Sequence, residues 1–277
     1  MIIDAHAHFC GELSQIKGIL HYMKSNTLKR IVLCPGEHHS KRGYPLPMFT
    51  DLIPSEAIGY TFNKIIRRMV ALTGMAEAID EQNRQLGLLS REYPEQILHA
   101  YWLDPLDAKG VSRMDSRYHQ MPFCMVKLHQ CWHDFDLAGP EVLTAVQWAE
   151  SFRLPVFIHL QSAGQCRAFS ALANHYPDCL FIVAHMIGYD IIAPRLRYDN
   201  VYFDLSAPFM IPFRYLEDAV RRWGGDRLLL GSDTPYGHNN LRRNMHRIER
   251  LELGKSEKEK ICGRNFESIL ALRPPAG

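Results

Sequence analysis

Eight short apolar runs alternate with amphipathic stretches along nearly the whole chain of 277 residues. The runs lie near residues 1–6, 29–34, 97–103, 123–128, 155–160, 180–185, 200–205 and 227–232. Strands that alternate with helices indicate right-handed βαβ units and a parallel sheet. Eight such units in about 250 residues predict an α/β fold, a (β/α)8 TIM barrel, with its active site at the carboxyl ends of the strands. A doubly wound open sheet is the alternative, but it would spread those strand ends along a line.

The first run closes with two histidines, in the sequence Ile2-Ile-Asp-Ala-His-Ala-His8. Side chains two residues apart on a strand point to the same face, so His6 and His8 can reach one point in space. Neutral imidazole is the commonest protein ligand for zinc and similar ions. Because the chain has 14 histidines, such a spacing can arise by chance. The alternative is that both histidines only hydrogen-bond the backbone at a strand end. Asp4 is expected on the same face, where it steadies the site through a hydrogen bond and does not bind the cation.

Three later apolar runs also close with a polar residue that could bind a metal. They are Pro155–His159, Leu180–His185 and Leu228–Asp233, and each leads into a loop rich in small or polar residues. A continuous apolar run is typical of a parallel strand that is buried on both faces. A single histidine at such a place is more often a satisfied core residue. Strand ends that together supply four histidines and an aspartate favour one shared site.

Composition favours one large enzyme domain over residues 1–277, with a core of its own. The formal net charge is +2 and no basic run suggests a nucleic-acid or membrane partner, so a small-molecule substrate is expected, with homo-oligomerisation left open. The seven cysteines contain no Cys-x-x-Cys pair and are expected to be reduced. The histidine motif begins at residue 4, which leaves no room for a signal peptide. No apolar stretch approaches the roughly 20 residues of a membrane helix. A cytoplasmic location is therefore expected.

One long insertion, at about residues 35–75, separates the second and third runs. Its first part, Pro35–Thr50, is rich in Gly, Pro and polar residues, as loops are. Long loops inside compact domains tend to be lids or binding elements. Two roles are equally open for this insertion. It could be a lid that brings His38, His39 or Arg42 to the substrate, or it could be a surface excursion or an oligomer contact.

Five segments together carry a resemblance to a known family. They are Ile3-Asp-Ala-His-Ala-His8, Val126-Lys-Leu-His129, Ile158-His159, Val183-Ala-His185-Met-Ile-Gly188 and Leu230-Gly-Ser-Asp233-Thr-Pro235. Their order resembles that of the amidohydrolase superfamily, and more narrowly the amidohydrolase 2, or amidohydrolase-related, branch of TIM-barrel metal-dependent hydrolases. The late Ile261-Cys-Gly-Arg-Asn265-Phe is similar to that branch's last helix. The resemblance runs from residue 2 to about residue 270.

The resemblance implies a metal site and neighbouring catalytic groups. It assigns four ligands to one divalent cation, expected to be Zn²⁺ with Mn²⁺ as the alternative: His6, His8, His159 and Asp233. His185 is implied beside the reacting water or the substrate. Lys127 is implied either as a carboxylated bridge to a second metal, which would also use His185, or as an unmodified lysine that holds a substrate carboxylate. The branch is mostly mononuclear, which favours one metal.

These roles also agree with elementary chemistry. Three imidazoles and one carboxylate leave a zinc ion an open position, where the pKa of a water molecule falls strongly. Asp233 is then the best general-base candidate, and His185 could donate to a developing oxyanion. The expected reaction is hydrolysis of a lactone, amide or ester in a small substrate that bears a carboxylate. The alternative is non-oxidative decarboxylation of an aromatic or unsaturated acid, whereas an inactive binding barrel is disfavoured by the intact ligand set.

Loops after the strands carry aromatic and cationic residues that suit a ring or acyl substrate. They are Trp102, Trp132, His133, Phe209, Phe213, Arg214, Tyr236 and His238. Ordinary loop packing is the competing interpretation for each of them.

Overall fold

The computed structural model describes residues 1–36, 60–61, 63–65, 67–68 and 79–272. Within them, eight parallel strands stand side by side in chain order: β1 (Ile3–Phe9), β2 (Arg30–Pro35), β3 (Ile97–Trp102), β4 (Met125–His129), β5 (Val156–His159), β6 (Phe181–Val183), β7 (Val201–Asp204) and β8 (Leu228–Leu229). A hydrogen bond of 2.9 Å from Ala5 N to Leu230 O joins β1 to the end of β8. The sheet therefore nearly closes on itself. The prediction of a (β/α)8 barrel is confirmed, and the open sheet is excluded because its edge strands would not meet.

Helices fill the connections between the strands. They are α1 (Ile16–Ser25), α2 (Ile79–Glu92), α3 (Gly110–Gln120), α4 (Pro140–Ser151), α5 (Ala163–His175), α6 (Tyr189–Ile192), α7 (Phe213–Trp223), α8 (Asn240–Glu249), α9 (Lys255–Glu259) and α10 (Asn265–Ala271). Helices α9 and α10 are separated by a π-helical turn at Lys260–Arg264, which contains Gly263 with non-helical backbone angles. None of the helices in the described part of the chain is long and apolar enough to cross a membrane.

Helix α2 illustrates how a helix is fitted to the barrel. Its buried residues include Ile79, Gln82, Asn83 and Leu86, which recur at the three- and four-residue spacing of one helix face. Asn83 also clamps the end of β3, because its Nδ2 donates to Trp102 O (2.9 Å) and its Oδ1 accepts from Trp102 N (3.0 Å). Trp102 is thereby fixed at the carboxyl end of the barrel.

Alternate residues of the strands form two apolar layers. In β4 and β5, Val126, Leu128 and Ile158 belong to the layer that packs on the helices. Met125 and Phe157 belong to the layer inside the barrel. Burial of each such side chain contributes about 1.5–3 kcal/mol to the hydrophobic free energy of folding. The inner layer leaves the carboxyl ends of the strands to polar side chains.

Two strand ends differ from the prediction. Strand β4 runs through Lys127 to His129 and ends within one residue of the predicted run. Strand β6 ends at Val183 and β8 at Leu229, so His185 lies in a 3₁₀ turn and Asp233 lies in a loop. The physical reason is the left-handed backbone of both residues, with φ of 53° at His185 and 61° at Asp233, which a strand cannot contain.

Only part of the predicted insertion falls within the described residues. Residues 60–61, 63–65 and 67–68 are helical. Asn63 Nδ2 donates to Leu160 O (2.9 Å), and Arg67 Nη1 donates to Gln161 Oε1 (3.1 Å). Since Leu160 and Gln161 follow β5 directly, this piece lies at the carboxyl end of the barrel. The segment 38–50, for which a lid role was open, lies outside the described residues.

Candidate metal centre

His6 and His8 converge on the carboxylate of Asp233. Oδ1 of Asp233 lies 3.2 Å from Nε2 of His8 and 3.7 Å from Nε2 of His6. The two imidazole centroids are 5.1 Å apart, and all three residues are buried. Asp233 is held in place through its backbone, because its N–H donates to His6 O at 2.8 Å. Three of the four ligands implied by the resemblance therefore form one contact set.

Asp4 does not share the face of His6 and His8, and this expectation is wrong. The pairing of β1 with β2 shifts register between Asp4 and Ala7, which breaks the strict alternation of faces. Asp4 instead accepts a hydrogen bond from the Tyr22 hydroxyl of α1 (3.2 Å) and another from Ser232 N (2.9 Å). Burial raises the pKa of Asp4 to about 7. Its role is to hold β1 to the loop that carries Asp233.

The outer nitrogens of both histidines are bound by the protein. Nδ1 of His8 lies 2.7 Å from Pro35 O, an acceptor only, so this nitrogen carries a proton. Nδ1 of His6 lies 3.2 Å from Asp204 Oδ2 and 2.9 Å from Ser206 Oγ. Metal-binding histidines commonly donate the second N–H to a carboxylate or a carbonyl in this way. Both rings are therefore oriented with Nε2 toward Asp233.

The pKa values of these two rings move in opposite directions. Burial, followed by Lys127, lowers the pKa of His6 well below its usual range. Burial also lowers that of His8, but Cys34 and Asp233 outweigh it and raise the pKa to about 9. A divalent cation therefore has to displace a proton from His8, as ligation by imidazole generally requires.

Asp204 and Ser206 are site residues that the sequence reasoning missed. Asp204 is the last residue of β7, and burial raises its pKa to about 7. Oδ2 of Asp204 accepts a hydrogen bond from the Ser206 hydroxyl, and a second one, of 3.3 Å, from His185 N. Asp204 could have been found from the signal that identified His159, because each is a polar residue at the end of an apolar strand.

His185 lies next to His6 and is oriented by Ser206. The ring centroids of His185 and His6 are 5.4 Å apart. Nδ1 of His185 lies 3.1 Å from Ser206 O and 2.9 Å from Ser206 Oγ. Burial lowers its pKa, although the Asp233 carboxylate opposes this. In the neutral ring the proton stays on Nδ1, so donation from Nε2 would require a second proton on this imidazole.

His159 occupies the end of β5 among other rings. It stacks on His129 with the centroids 3.9 Å apart and the planes inclined by 7°. His185 meets the His159 ring edge-on, with the centroids 5.2 Å apart. Nδ1 of His159 lies 3.8 Å from Cys131 Sγ. These contacts place the fourth implied ligand beside His185.

Lys127 points into the centre of the site. Its Nζ lies 2.9 Å from Nε2 of His6, 3.3 Å from Nε2 of His8 and 3.1 Å from Cys34 Sγ. The side chain is 1% exposed, and Nζ lies 4.5 Å from the centroid of the Trp102 ring. Burial raises the pKa of Cys34, but His8 and Lys127 reverse this and lower it. A substrate carboxylate would have to compete with these contacts for Lys127.

Three of the seven residues other than Gly that have a positive φ in the described part of the chain lie at this site. His185, Met186 and Asp233 have φ of 53°, 49° and 61°, in the left-handed region that residues other than Gly seldom adopt. Such strain persists only where the surrounding structure imposes it, and it is common at active sites. It therefore supports a functional role for this site, independently of any family.

Three groups of donor atoms in the described residues are close enough to hold a cation. Within each group the ligand atoms lie within 4.8 Å of one another: His6, His8 and Cys34; His6, His185 and Asp204; and His129, Cys131 and His159. Imidazole, carboxylate and thiolate are the ligands that Zn²⁺ takes, while imidazole and carboxylate also suit other first-row ions.

Aromatic residues line the site on two sides. Tyr236 meets His8 edge-on at 4.9 Å, and Trp102 meets it at 6.0 Å. Trp132 packs edge-on against Trp102 at 4.9 Å. These three predicted substrate-loop residues do lie at the site. Phe213, in contrast, packs under the guanidinium of Arg250, 4.6 Å from its ring centroid.

Solved structures with this fold include hydrolases and decarboxylases. A probable 2-pyrone-4,6-dicarboxylic acid hydrolase from Acinetobacter baumannii, with citric acid bound, is 11% identical, with 98% of this chain and 99% of that chain covered and a TM-score of 0.69. The 5-carboxyvanillate decarboxylase from Sphingomonas paucimobilis is 12% identical, with 98% of each chain covered and a TM-score of 0.68. A dihydroxybenzoic acid decarboxylase from Polaromonas sp. JS666, with bound manganese and the inhibitor 2-nitroresorcinol, is 14% identical, with 99% of this chain and 98% of that chain covered and a TM-score of 0.68. At these identities the likeness concerns the fold.

Sequence comparison gives the family. No curated protein matches the chain. The family model described as amidohydrolase matches residues 65–270, about three quarters of the chain, which include Lys127, His159, His185 and Asp233. The family is one of metal-dependent enzymes, with hydrolases and decarboxylases among the structural neighbours. The chain therefore belongs to the amidohydrolase family, in its amidohydrolase 2 branch.

Proposed function

We propose that this protein is a metal-dependent hydrolase that cleaves a lactone, amide or ester bond in a small substrate bearing a carboxylate. The observation that carries the proposal is the position of Asp233, whose Oδ1 lies 3.2 Å from His8 Nε2 and 3.7 Å from His6 Nε2. A carboxylate beside two imidazoles of fixed orientation can serve both as a ligand and as a proton acceptor.

We assign the cation to His6, His8, His159 and Asp233, with Zn²⁺ as the expected ion and Mn²⁺ as the alternative. When bound, it would act as a Lewis acid and supply the electrophilic part of the chemistry. Asp204 and Pro35 contribute by holding Nδ1 of His6 and of His8, which leaves each Nε2 directed at the site. Such outer hydrogen bonds typically change metal affinity 10- to 100-fold.

Asp233 is proposed to take the proton of the attacking water and to return it to the leaving group. Burial raises its pKa, but His185 and His8 outweigh burial and the pKa is lowered, which keeps the carboxylate ionised and able to accept a proton. His185 is proposed to stabilise the developing oxyanion. That role requires a second proton on the ring, and burial lowers the pKa of His185, which the Asp233 carboxylate offsets only in part.

Decarboxylation of an aromatic acid is the second candidate. It is favoured by the wall of Trp102, Trp132 and Tyr236, which lies beside His8 and offers flat faces to a ring. The same pair, Asp233 and His185, could then move the proton that replaces CO₂.

Parallel assays distinguish the two reactions. The metal-loaded protein is assayed against a panel of lactones, amides and esters with a carboxylate, and against aromatic acids with detection of released CO₂. Release of acid from the first panel, lost in Asp233→Asn, is the expected result. CO₂ release with no hydrolysis would replace the proposal by the second candidate. Activity on neither panel, with metal bound, would argue for a binding protein.

A further inference from the structure

We infer that Lys127 and a divalent cation exclude one another at the centre of the site, so that the lysine must leave its observed position before the cation can bind. The inference rests on the proposed function, because it concerns how that metal site is loaded. In this inference Lys127 is an unmodified amine, and it occupies the position that the cation would take.

The first argument is competition for one lone pair. An imidazole nitrogen without a proton offers a single lone pair, and Lys127 Nζ lies 2.9 Å from Nε2 of His6. A zinc ion would use that same lone pair at about 2.0–2.1 Å. Lysine offers three donors and no acceptor, so His6 is the acceptor in this contact. The hydrogen bond and the coordination bond cannot exist together.

The second argument is the completeness of the surroundings of Nζ. Besides His6, its stabilising neighbours are Cys34 Sγ at 3.1 Å and the faces of Trp102 and Phe157 at 4.5 and 5.3 Å; His8 Nε2 lies at 3.3 Å but does not accept from the amine while the ring keeps its second proton. Polar contacts and aromatic faces of this kind stabilise a buried amine or ammonium. Lys127 thus occupies the cation's position with contacts of its own and is not merely a neighbour of the site.

The consequence is a cost on metal binding that removal of the amine abolishes. Each hydrogen bond to a charged group that has to be broken weakens binding by about tenfold or more. Lys127→Met keeps an unbranched chain of similar length without a donor. We expect it to bind Zn²⁺ and Mn²⁺ at least about tenfold more tightly than the wild type. Lys127→Gln, which keeps a polar end, is the second variant in case the first does not fold.

The experiment measures the dissociation constants of Zn²⁺ and Mn²⁺ by calorimetry on metal-free full-length protein. Lys260→Met is the matched control, since it makes the same change at an exposed lysine paired with Asp226. The rise in melting temperature on adding saturating metal should be larger in Lys127→Met than in the wild type and the control. Tighter binding in the Lys127 variants supports the inference.

Four results would overturn it. Equal affinity in wild type and variants would mean that the lysine leaves at no cost, and the metal site itself would stand. Weaker binding in the variants, or a carbamate carbon signal in wild-type protein loaded with ¹³C-bicarbonate, would make Lys127 a ligand. Absence of binding in every protein would overturn both this inference and the proposed function.

Binding in the Lys127 variants alone would support the inference while removing metal dependence from the wild-type reaction.

Discussion

Asp204 lies behind His6, with its Oδ2 3.2 Å from the ring's Nδ1, and it thereby connects the end of β7 to the histidine pair of β1. The same oxygen accepts a hydrogen bond from His185 N, so one carboxylate contacts both a proposed ligand and a proposed catalytic residue. An aspartate in this position fixes the ring and strengthens its outward nitrogen as a donor to a metal.

We therefore expect Asp204→Asn to weaken metal binding by about 10- to 100-fold while the protein remains folded, because the neutral amide keeps the size of the carboxylate but polarises His6 less. Calorimetric titration with Zn²⁺ measures the effect. Asp218→Asn removes a carboxylate that is held by Arg222 and Tyr189 outside the site, and it should bind metal as the wild type does. Unchanged affinity in Asp204→Asn would mean that Ser206 alone orients the ring.

The sequence predicts the barrel and much of the site because both depend on periodicity. His159 was found as a polar residue that closes an apolar strand, and Asp204 carried the same signal without being recognised. Cys34 is the last residue but one of β2, and a cysteine is indistinguishable in the pattern from one more apolar residue of a buried run. Its contact with Lys127 could not be anticipated from the pattern.

Other features depend on interactions that no local pattern records. The face of Asp4 is set by an irregularity in the pairing of β1 with β2, and alternation along a single strand does not contain it. The left-handed backbone of His185 and Asp233 is imposed by the packing around them, since neither residue type prefers it enough to be predicted there. Both residues were predicted as polar candidates at strand ends, but the sequence did not predict that His185 would lie in a turn and Asp233 in a loop.

Metal content is the most direct test of the histidine pair. The wild type should bind about one divalent ion per chain, and His6→Asn should reduce the affinity by more than about 100-fold, because it removes a proposed ligand and not merely its support. Elemental analysis after dialysis measures both. His99→Asn is the matched control, since His99 is also buried on a barrel strand and bonds Asn83 instead of the site. Equal metal content in all three proteins would place the cation elsewhere.

Asp233→Asn tests the proton acceptor. The amide oxygen can still ligate weakly, but it cannot take a proton. The value of kcat/KM on the substrate identified by the panel should fall by roughly 10² or more, the usual scale for general-base help. Metal content, measured on the same samples, should be largely retained. Turnover near the wild-type level in metal-loaded Asp233→Asn would assign the proton transfer to another group, with His185 as the next residue to replace.

The acid sensitivity of the fold can be assigned in part to His99. Burial lowers the pKa of this histidine to about 3, and its Nε2 lies 3.2 Å from Asn83 Oδ1. An unfolded histidine titrates near 6.5, so between pH 6.5 and 3 the unfolded chain holds one more proton at this position than the folded chain. The stabilisation is complete above pH 6.5 and is lost as the pH falls through that window. From pH 7 to pH 5 this one residue should lower the free energy of unfolding by about 2 kcal/mol.

Denaturant unfolding at pH 7 and pH 5 measures this loss in the wild type and in His99→Leu and His99→Gln. Both variants remove the titrating ring, but only the glutamine keeps a group that can hydrogen-bond Asn83. Their stabilities at pH 7 should therefore differ, while both should lose about 2 kcal/mol less than the wild type on going to pH 5. The other buried histidines are present in all three proteins and cancel in the comparison. If the variants and the wild type lose equal stability over this range, then His99 is not a source of the acid sensitivity.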